Sequence, residues 1–243
     1  MSGTTRDRLL GGRVLLDQPA TGYRAAIDPV LLAAGVPARA GETVLEAGLG
    51  AGAAALCLLA RVPDASVTGI ELDAALAALA RGNAALNGCA GRLAVIEGDI
   101  LALRHGRFAH AMANPPYQPH GSGSVSPHAG RARADREAAA DALEAWIAAL
   151  ARRLEARGSL SLVLPAARLS QALAGCRAAG IGAIAVLPVA PRAGEAAGRA
   201  IIQGRESARG PDRLLAPLVL HQPDGSFTEA AERVLREGAA ISI

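Results

Sequence analysis

Asn114-Pro115-Pro116-Tyr117, within the run AMANPPYQPHG (111–121), brings together a side-chain amide, two prolines and one of only two tyrosines in the chain. Prolines pre-set their own φ, remove two backbone donors and push the preceding residue out of helical geometry. The run is therefore expected to hold a fixed, extended bend that displays Asn114 and Tyr117. The chemistry this suits is methylation of an exocyclic or amide nitrogen, a poor nucleophile because its lone pair is delocalised. The Asn114 side-chain oxygen can accept one N–H and the Pro115 carbonyl the other, drawing the nitrogen toward tetrahedral geometry and aiming its lone pair. Stabilising the positive charge that develops there is electrostatic catalysis and requires no general base. Tyr117 offers a flat face to a base, worth about 1–3 kcal/mol where it stacks. The alternative is a structural Pro-Pro turn with a buried tyrosine.

A second constellation is VLEAGLGAGA, which sets Gly48, Gly50 and Gly52 between an apolar run and a helical one. Glycines at such a junction let the backbone turn sharply and approach a ligand closely. Glu71 follows nineteen residues after Gly52, at the end of the next apolar run, where an acid can hold the two hydroxyls of a ribose. Asp99, in EGDI, ends a third run and can hydrogen-bond an adenine. With Ala53 the loop also satisfies G-x-G-x-x-G/A, so the glycines alone admit a nicotinamide cofactor. Glu46 points elsewhere: an acid beside a pyrophosphate is repulsive, whereas beside a sulfonium and an amino group it is favourable. Glu71 and Asp99 also have a simpler reading, as caps of the helices that follow them.

The elements needed to position these residues are legible as apolar runs alternating with alanine-rich stretches. Strands are expected at 43–47, 66–71, 93–98, 108–113 and 159–165, with helices over roughly 52–62, from Asp73 to before Gly88, and over roughly 136–156. Asp73 reads as an N-cap and Gly88 as a stop. A further helix is followed by runs at 181–189 and 199–205 that can pair as a hairpin. Strand–helix alternation predicts an α/β fold with a Rossmann-like doubly wound, mostly parallel sheet, closed by a C-terminal antiparallel hairpin. The fourth run ends at the catalytic candidate, placing it at the carboxyl edge of the sheet, beside the switch point where such folds bind ligands. A single domain over 43–243 is expected, preceded by a segment, 1–42, packing on the cofactor site. In that segment Asp28-Pro29 reads as an N-cap and first helical position. The Gly/Ser/Pro-rich stretch 118–136 reads as a long functional loop.

Composition narrows the chemistry. Half of the 243 residues are hydrophobic, enough for a sizeable core, and all 25 basic residues are arginine. The absence of lysine excludes a Schiff-base lysine and the Gly-Lys-Ser/Thr phosphate loop. Cys57, Cys89 and Cys176 lack metal-ligand spacing and read as reduced thiols, and no metal is expected. No signal peptide or membrane-length apolar run is visible, which predicts a cytoplasmic protein. Arg131, Arg133 and Arg136 follow the catalytic candidate and are the favoured contact for a nucleic acid. Arg199, Arg205, Arg209 and Arg213 form a second candidate track, although any one of them can be ordinary solvated arginine. His120 and His128 read as loop residues and Trp146 as core.

The glycine loop with its acids, together with NPPY, resembles the class I S-adenosylmethionine-dependent methyltransferases, and NPPY resembles their amino-methylating branch. LLDQPATGYRAAIDPVLLAAGVP and the tail LLAPLVLHQPDGSFTEAAERVLREGAA extend the similarity, from about Leu10 to Ile241, to the bacterial tRNA(Val) adenine-N6-methyltransferases. That resemblance implies S-adenosyl-L-methionine as cofactor and tRNA as partner, with the target adenine next to the anticodon. It implies Asn114, Pro115, Pro116 and Tyr117 as the catalytic loop. Glu46 and Gly48 to Gly52 would face the methionine part, Glu71 the ribose and Asp99 the adenine ring. Asn114 would border the cofactor as well, and Tyr23 and Arg24 would fold over it. The rivals are another amino nitrogen, in ribosomal RNA or a protein glutamine, and an inactive RNA-binding protein of the same fold. A glutamine methyltransferase is expected to carry a helical domain ahead of its glycine loop, for which the 47 residues before Gly48 leave no room. A nicotinamide dehydrogenase is the outsider at the level of fold alone.

Overall fold

The computed structural model describes residues 3–20, 24–115 and 142–243. Tyr23, Pro116, Tyr117, His120, His128, Arg131, Arg133 and Arg136 lie outside the described residues. The chain opens with an antiparallel pair, β1 (Thr4–Leu9) and β2 (Val14–Pro19), and a helix, α1 (Asp28–Gly35). The alternating core follows as β3 (Thr43–Ala47), α2 (Ala53–Arg61), β4 (Ser66–Glu71), α3 (Ala74–Leu86), β5 (Leu93–Glu97) and β6 (Phe108–Ala113). Helix α4 (142–151) leads into β7 (Leu154–Pro165), α5 (Leu169–Ala178), β8 (Ile181–Arg192) and β9 (Arg199–Glu206). Two short strands, β10 (Arg213–Leu214) and β11 (Leu218–His221), and helix α6 (Glu229–Leu235) complete it.

The main sheet has the order β10-β8-β9-β7-β6-β3-β4-β5, with β11 also on β8. β9 is antiparallel to both β7 and β8, and the other pairings are parallel. The expected closing hairpin is thus β8–β9, with β9 inserted between β7 and β8. Strand alternation explains the two cores. Val44, Met112, Val163 and Ile201 face α1, α2, α3 and α6, while Leu45, Ala111, Leu162 and Ile202 face α4 and α5. Near-continuous apolar strands are what a sheet covered on both faces requires.

Three local expectations need correction. The helix expected to reach 156 ends at 151, and β7 starts at Leu154 rather than at 159. RRLEARG has helical propensity, but Leu154 pairs with Phe108, and a bulge with Arg157 at φ +63° carries the chain to the Ser159–His110 pairing. Asp28 makes no capping bond at the start of α1; it is buried in an ion pair with Arg199. The β1–β2 pair was not foreseen. Its register against the body is set by two asparagines one turn apart, Asn83 on α3 and Asn87 directly after its end. Asn87 exchanges hydrogen bonds with the Leu15 backbone at 2.8 and 2.7 Å, and Asn83 does the same with Asp17 at 2.8 Å each way. Two side-chain amides thereby replace the neighbouring strand that the β2 edge lacks.

Candidate active site

The topology brings the chemistry together. The chain runs β3–β4–β5 to one side and returns to place β6 on the other side of β3, so loops after β3 and β6 part at this point and leave a crevice. Ala47 is opposite Ala113 in register, which sets the glycine loop beside Asn114. Gly48, Gly50 and Gly52 all have left-handed φ, at +68°, +58° and +92°. The Gly48 and Leu49 N–H groups bond the Ile70 carbonyl at 2.9 and 3.0 Å, pinning the loop to the end of β4.

Glu71 completes that attachment. Its Oε2 accepts the Gly50 N–H at 2.7 Å and its Oε1 the Asp73 N–H at 2.9 Å, so the carboxylate is fixed at the cavity wall with lone pairs remaining on both oxygens. Asp99 accepts the Leu101 N–H at 2.9 Å. Asp73 caps α3 through the Ala75 and Leu76 N–H groups. The capping and ligand-facing readings of Asp99 therefore coexist. A cavity of about 700 Å³ is lined by Glu71, Leu72, Asp99, Leu101, Asn114 and Trp146, among others. Leu72 is 73% exposed, an unusual state for a leucine that the empty space beside it explains.

A second, smaller cavity of about 70 Å³ shares Gly48, Gly50, Leu76 and Asn114 with the first. Glu46, Gln18, Pro19, Ala25 and Pro29 also line it, so the end of β2 and the start of α1 supply one wall. Gln18 holds that wall by accepting the Ala25 N–H at 2.8 Å while donating to Asp7. Glu46 is 3% exposed. The Ala55 N–H supports the carboxylate, yet burial, with Glu71 adding repulsion, raises its pKa well above the usual carboxylate value. Its Oε2 is buried without a hydrogen-bond partner among the described residues. An orphaned carboxylate oxygen in an electronegative corner fits a cationic ligand and disfavours a pyrophosphate.

The structure therefore brings Glu46, Gly48, Gly50, Glu71, Asp99, Asn114 and Pro115 to one pair of contiguous cavities, with Gly52 starting α2 behind the loop. Arg24 lines neither. Its guanidinium bonds Thr5 Oγ1 at 2.6 Å, the Pro19 carbonyl at 3.3 Å and Asp7 at 2.5 Å, bracing β1 against β2. Trp146, expected in the core, packs on it with one edge and lines the larger cavity with the other. A Cβ built on Gly48 would lie 2.7 Å from Trp146 Cη2, so the indole is a wall of the glycine loop. Gln18, Asn83 and Leu72 are further residues that sequence reasoning passed over. The Asn83/Asn87 spacing of one helical turn was the available signal for one of them.

The track of Arg199, Arg205, Arg209 and Arg213 is divided by the fold. β9 is antiparallel to its neighbours, so Arg199 stands at the carboxyl edge, paired with Asp28, and Arg205 at the opposite edge. The three cysteines are buried and free, with the Cys57 thiol pushed up to about 12 by burial. Among the described residues no cluster of potential metal ligands occurs, and no helix is long and apolar enough to cross a membrane.

Comparisons with known proteins agree with this architecture. Residues 25–173, more than half of the chain, match the "Methyltransferase small domain" family. A tRNA1(Val) (adenine(37)-N6)-methyltransferase from Aeromonas hydrophila is 30% identical over 216 residues, covering 88% of this chain and 89% of that protein. A release factor glutamine methyltransferase from Deinococcus radiodurans is 45% identical over 76 residues, 31% of this chain and 27% of its own. Among solved structures, a predicted O-methyltransferase from Agrobacterium tumefaciens superposes with a TM-score of 0.73 at 25% identity, over 89% of this chain and 99% of that one. A 16S rRNA N2 G1207 methyltransferase from Thermus thermophilus, in complex with AdoMet and guanosine, gives 0.58 at 19% identity, over 84% and 50%. With its glycine loop meeting Asn114 and Pro115 at the switch point of a class I methyltransferase fold, the chain belongs to the methyltransferase small domain family and is a methyltransferase.

Proposed function

We propose that the protein transfers a methyl group from S-adenosyl-L-methionine to the N6 amino nitrogen of an adenine in structured RNA, namely a tRNA at the adenine next to the anticodon. One observation carries the reading: Asn114 stands where the two cavities join, between the orphaned Glu46 oxygen and the Glu71–Asp99 wall. The residues fit the cofactor. The buried Glu46 carboxylate has an oxygen without a hydrogen-bond partner among the described residues, and Gly50 presents backbone with open space where a side chain would stand. Bound there, S-adenosyl-L-methionine supplies an electrophilic methyl on a sulfonium. Glu46 and the Gly48–Gly52 loop would hold the methionine end, Glu71 the ribose hydroxyls and Asp99 the adenine amino group, with Leu72 and Leu101 offering apolar surface to the ring. Arg24 would act only indirectly, through its hold on the β1–β2 pair.

On the acceptor side, the Asn114 side-chain oxygen and the Pro115 carbonyl each take one N–H of the target amino group. We assign Pro116 the role of restricting the backbone after Pro115, and Tyr117 that of a stacking face for the base. The nitrogen would become more tetrahedral and its positive charge be stabilised as the methyl exchanges its bond to sulfur for one to nitrogen, leaving a neutral thioether, and the excess proton would leave to water. A base must leave its stack to reach such a pocket, which suits an unpaired loop nucleotide. The Aeromonas relative supports tRNA as the substrate class. The local likeness to a glutamine methyltransferase supports a second reading, a protein amide as acceptor.

The test is nucleoside mass spectrometry of unmodified tRNA incubated with the protein and S-adenosyl-L-methionine. N6-methyladenosine is the expected product. Methylation of glutamine in a release-factor peptide, with RNA unmodified, would select the second reading.

A further inference from the structure

Among the described residues some arginines pair with carboxylates, and others, Arg13, Arg61, Arg81 and Arg92 among them, donate singly or doubly to backbone carbonyls at scattered places. Arg6, Arg24, Arg177, Arg192, Arg199 and Arg236 each pair with a carboxylate. At the amino edge of the sheet, around the ends of β6, β7 and β9, such carbonyl contacts lie close together. Arg104 donates to the Leu101 carbonyl at 3.2 Å, Arg107 to the Leu154 carbonyl at 2.8 Å and Arg205 to the Arg157 carbonyl at 3.3 Å. Arg153 donates in turn to the Arg104 carbonyl. These contacts tie Arg104, Arg107, Arg153, Arg157 and Arg205 into one group, four of them fully on the surface. Carbonyl oxygens do not neutralise a guanidinium, and each such group has five N–H donors, most of them left for other partners. Carboxylates at this edge include Glu42, Glu155 and Glu206; Glu42 is bonded to His110 Nε2 at 2.8 Å, and Glu206 by the Arg157 N–H at 3.2 Å and the Ser207 hydroxyl at 2.6 Å. Five guanidiniums held together by the main chain outnumber these carboxylates and form a positive field that costs self-repulsion unless a polyanion shares the surface.

We propose that this amino-edge cluster binds phosphates of the RNA backbone, as a contact separate from the methyl-transfer site. The inference rests on the RNA-methylating function proposed above. β6 links the two regions, with Arg107 directly before its first residue and Asn114 directly after its last. Seven residues of strand span roughly 23 Å at about 3.3 Å per residue. A folded RNA is longer than that, so one molecule can present a loop base to Asn114 and a phosphate run to the arginines. Planar guanidiniums suit phosphate by bidentate contact, and recognition of this kind is independent of sequence.

The experiment is tRNA binding by fluorescence anisotropy across a salt series, comparing wild type with R107Q/R153Q/R205Q. A control, R6Q/R177Q/R192Q, removes the same charge from carboxylate-paired positions. Losing three phosphate contacts should weaken binding about tenfold or more and reduce the slope of log K against log salt by about 2–3. The control should move neither, and Arg→Lys at the three cluster positions should keep most of the slope. Unchanged affinity and slope in the cluster variant, or equal loss in the control, would overturn the proposal. Because the readout is binding, it judges this surface even where nucleoside analysis finds no methylated base.

Discussion

Gly48 is the position where one added methyl group reports most directly on the site. It has φ +68°, a conformation that costs an L-residue about 1–2 kcal/mol. Its missing Cβ would also lie 2.7 Å from Cη2 and 3.0 Å from Cζ3 of Trp146, well inside the carbon–carbon optimum of about 3.5–4.0 Å. The indole packs against the core on one side and borders the larger cavity on the other, so relieving the contact means giving up core packing. Overpacking of this kind costs about 1–3 kcal/mol, so Gly48→Ala should destabilise the protein by about 2–5 kcal/mol in all. The two parts separate in a double-mutant cycle. Trp146→Ala in the Gly48→Ala background removes the collision and leaves the backbone strain, so the pair should be about 1–3 kcal/mol less destabilised than the sum of the singles. Chemical denaturation of the four proteins measures this. Additivity within about 0.5 kcal/mol would refute the placement of Trp146 over the glycine loop.

Glu71→Ala removes the group that fixes Gly50 and faces the larger cavity; calorimetry should show cofactor affinity reduced by about 10–100-fold, the equivalent of charge-assisted bonds worth about 1.5–3 kcal/mol. Glu46 gives a pH signature. Its folded pKa is raised, so the ligand-free protein binds more protons than the unfolded chain, and stability falls as pH rises from the usual carboxylate value of 4.5 through the raised one. A cationic ligand favours the ionised form, so cofactor affinity should rise with pH over the same window, and Glu46→Gln should flatten both dependences in titrations across pH. Asn83→Ala leaves the Asp17 N–H and carbonyl and the Ala51 carbonyl without their partner, costing at least about 1–3 kcal/mol in urea denaturation.

The parallel core was legible because each strand is a short apolar run closed by glycine or a capping acid, as at Glu71-Leu72-Asp73. That Glu71 and Asp99 line a cavity was legible because strand ends at a switch point border a crevice whatever the helices do. What escaped depended on long-range partners. Leu154 joins β7 only because Phe108 lies beside it, which no local propensity in RRLEARG records. The β1–β2 pair is held by amides that sit 66 and 72 residues away in sequence. Trp146 looked like core because helical spacing shows that a face is buried but not that its far edge meets a cavity. The arginine track failed for a topological reason: antiparallel insertion of β9 sends its two ends to opposite edges of the sheet, and which side it inserts on is not encoded in its own residues.

Asn114 carries the central claim, and single-turnover methyl transfer to tRNA by Asn114→Ala, with cofactor affinity measured on the same preparation, tests it most directly. The account predicts a rate loss of at least about 10²-fold, the scale of one lost preorganised group, with cofactor affinity changed by no more than a few-fold. A variant that methylates at the wild-type rate, or one whose rate falls only in proportion to lost cofactor binding, would contradict it.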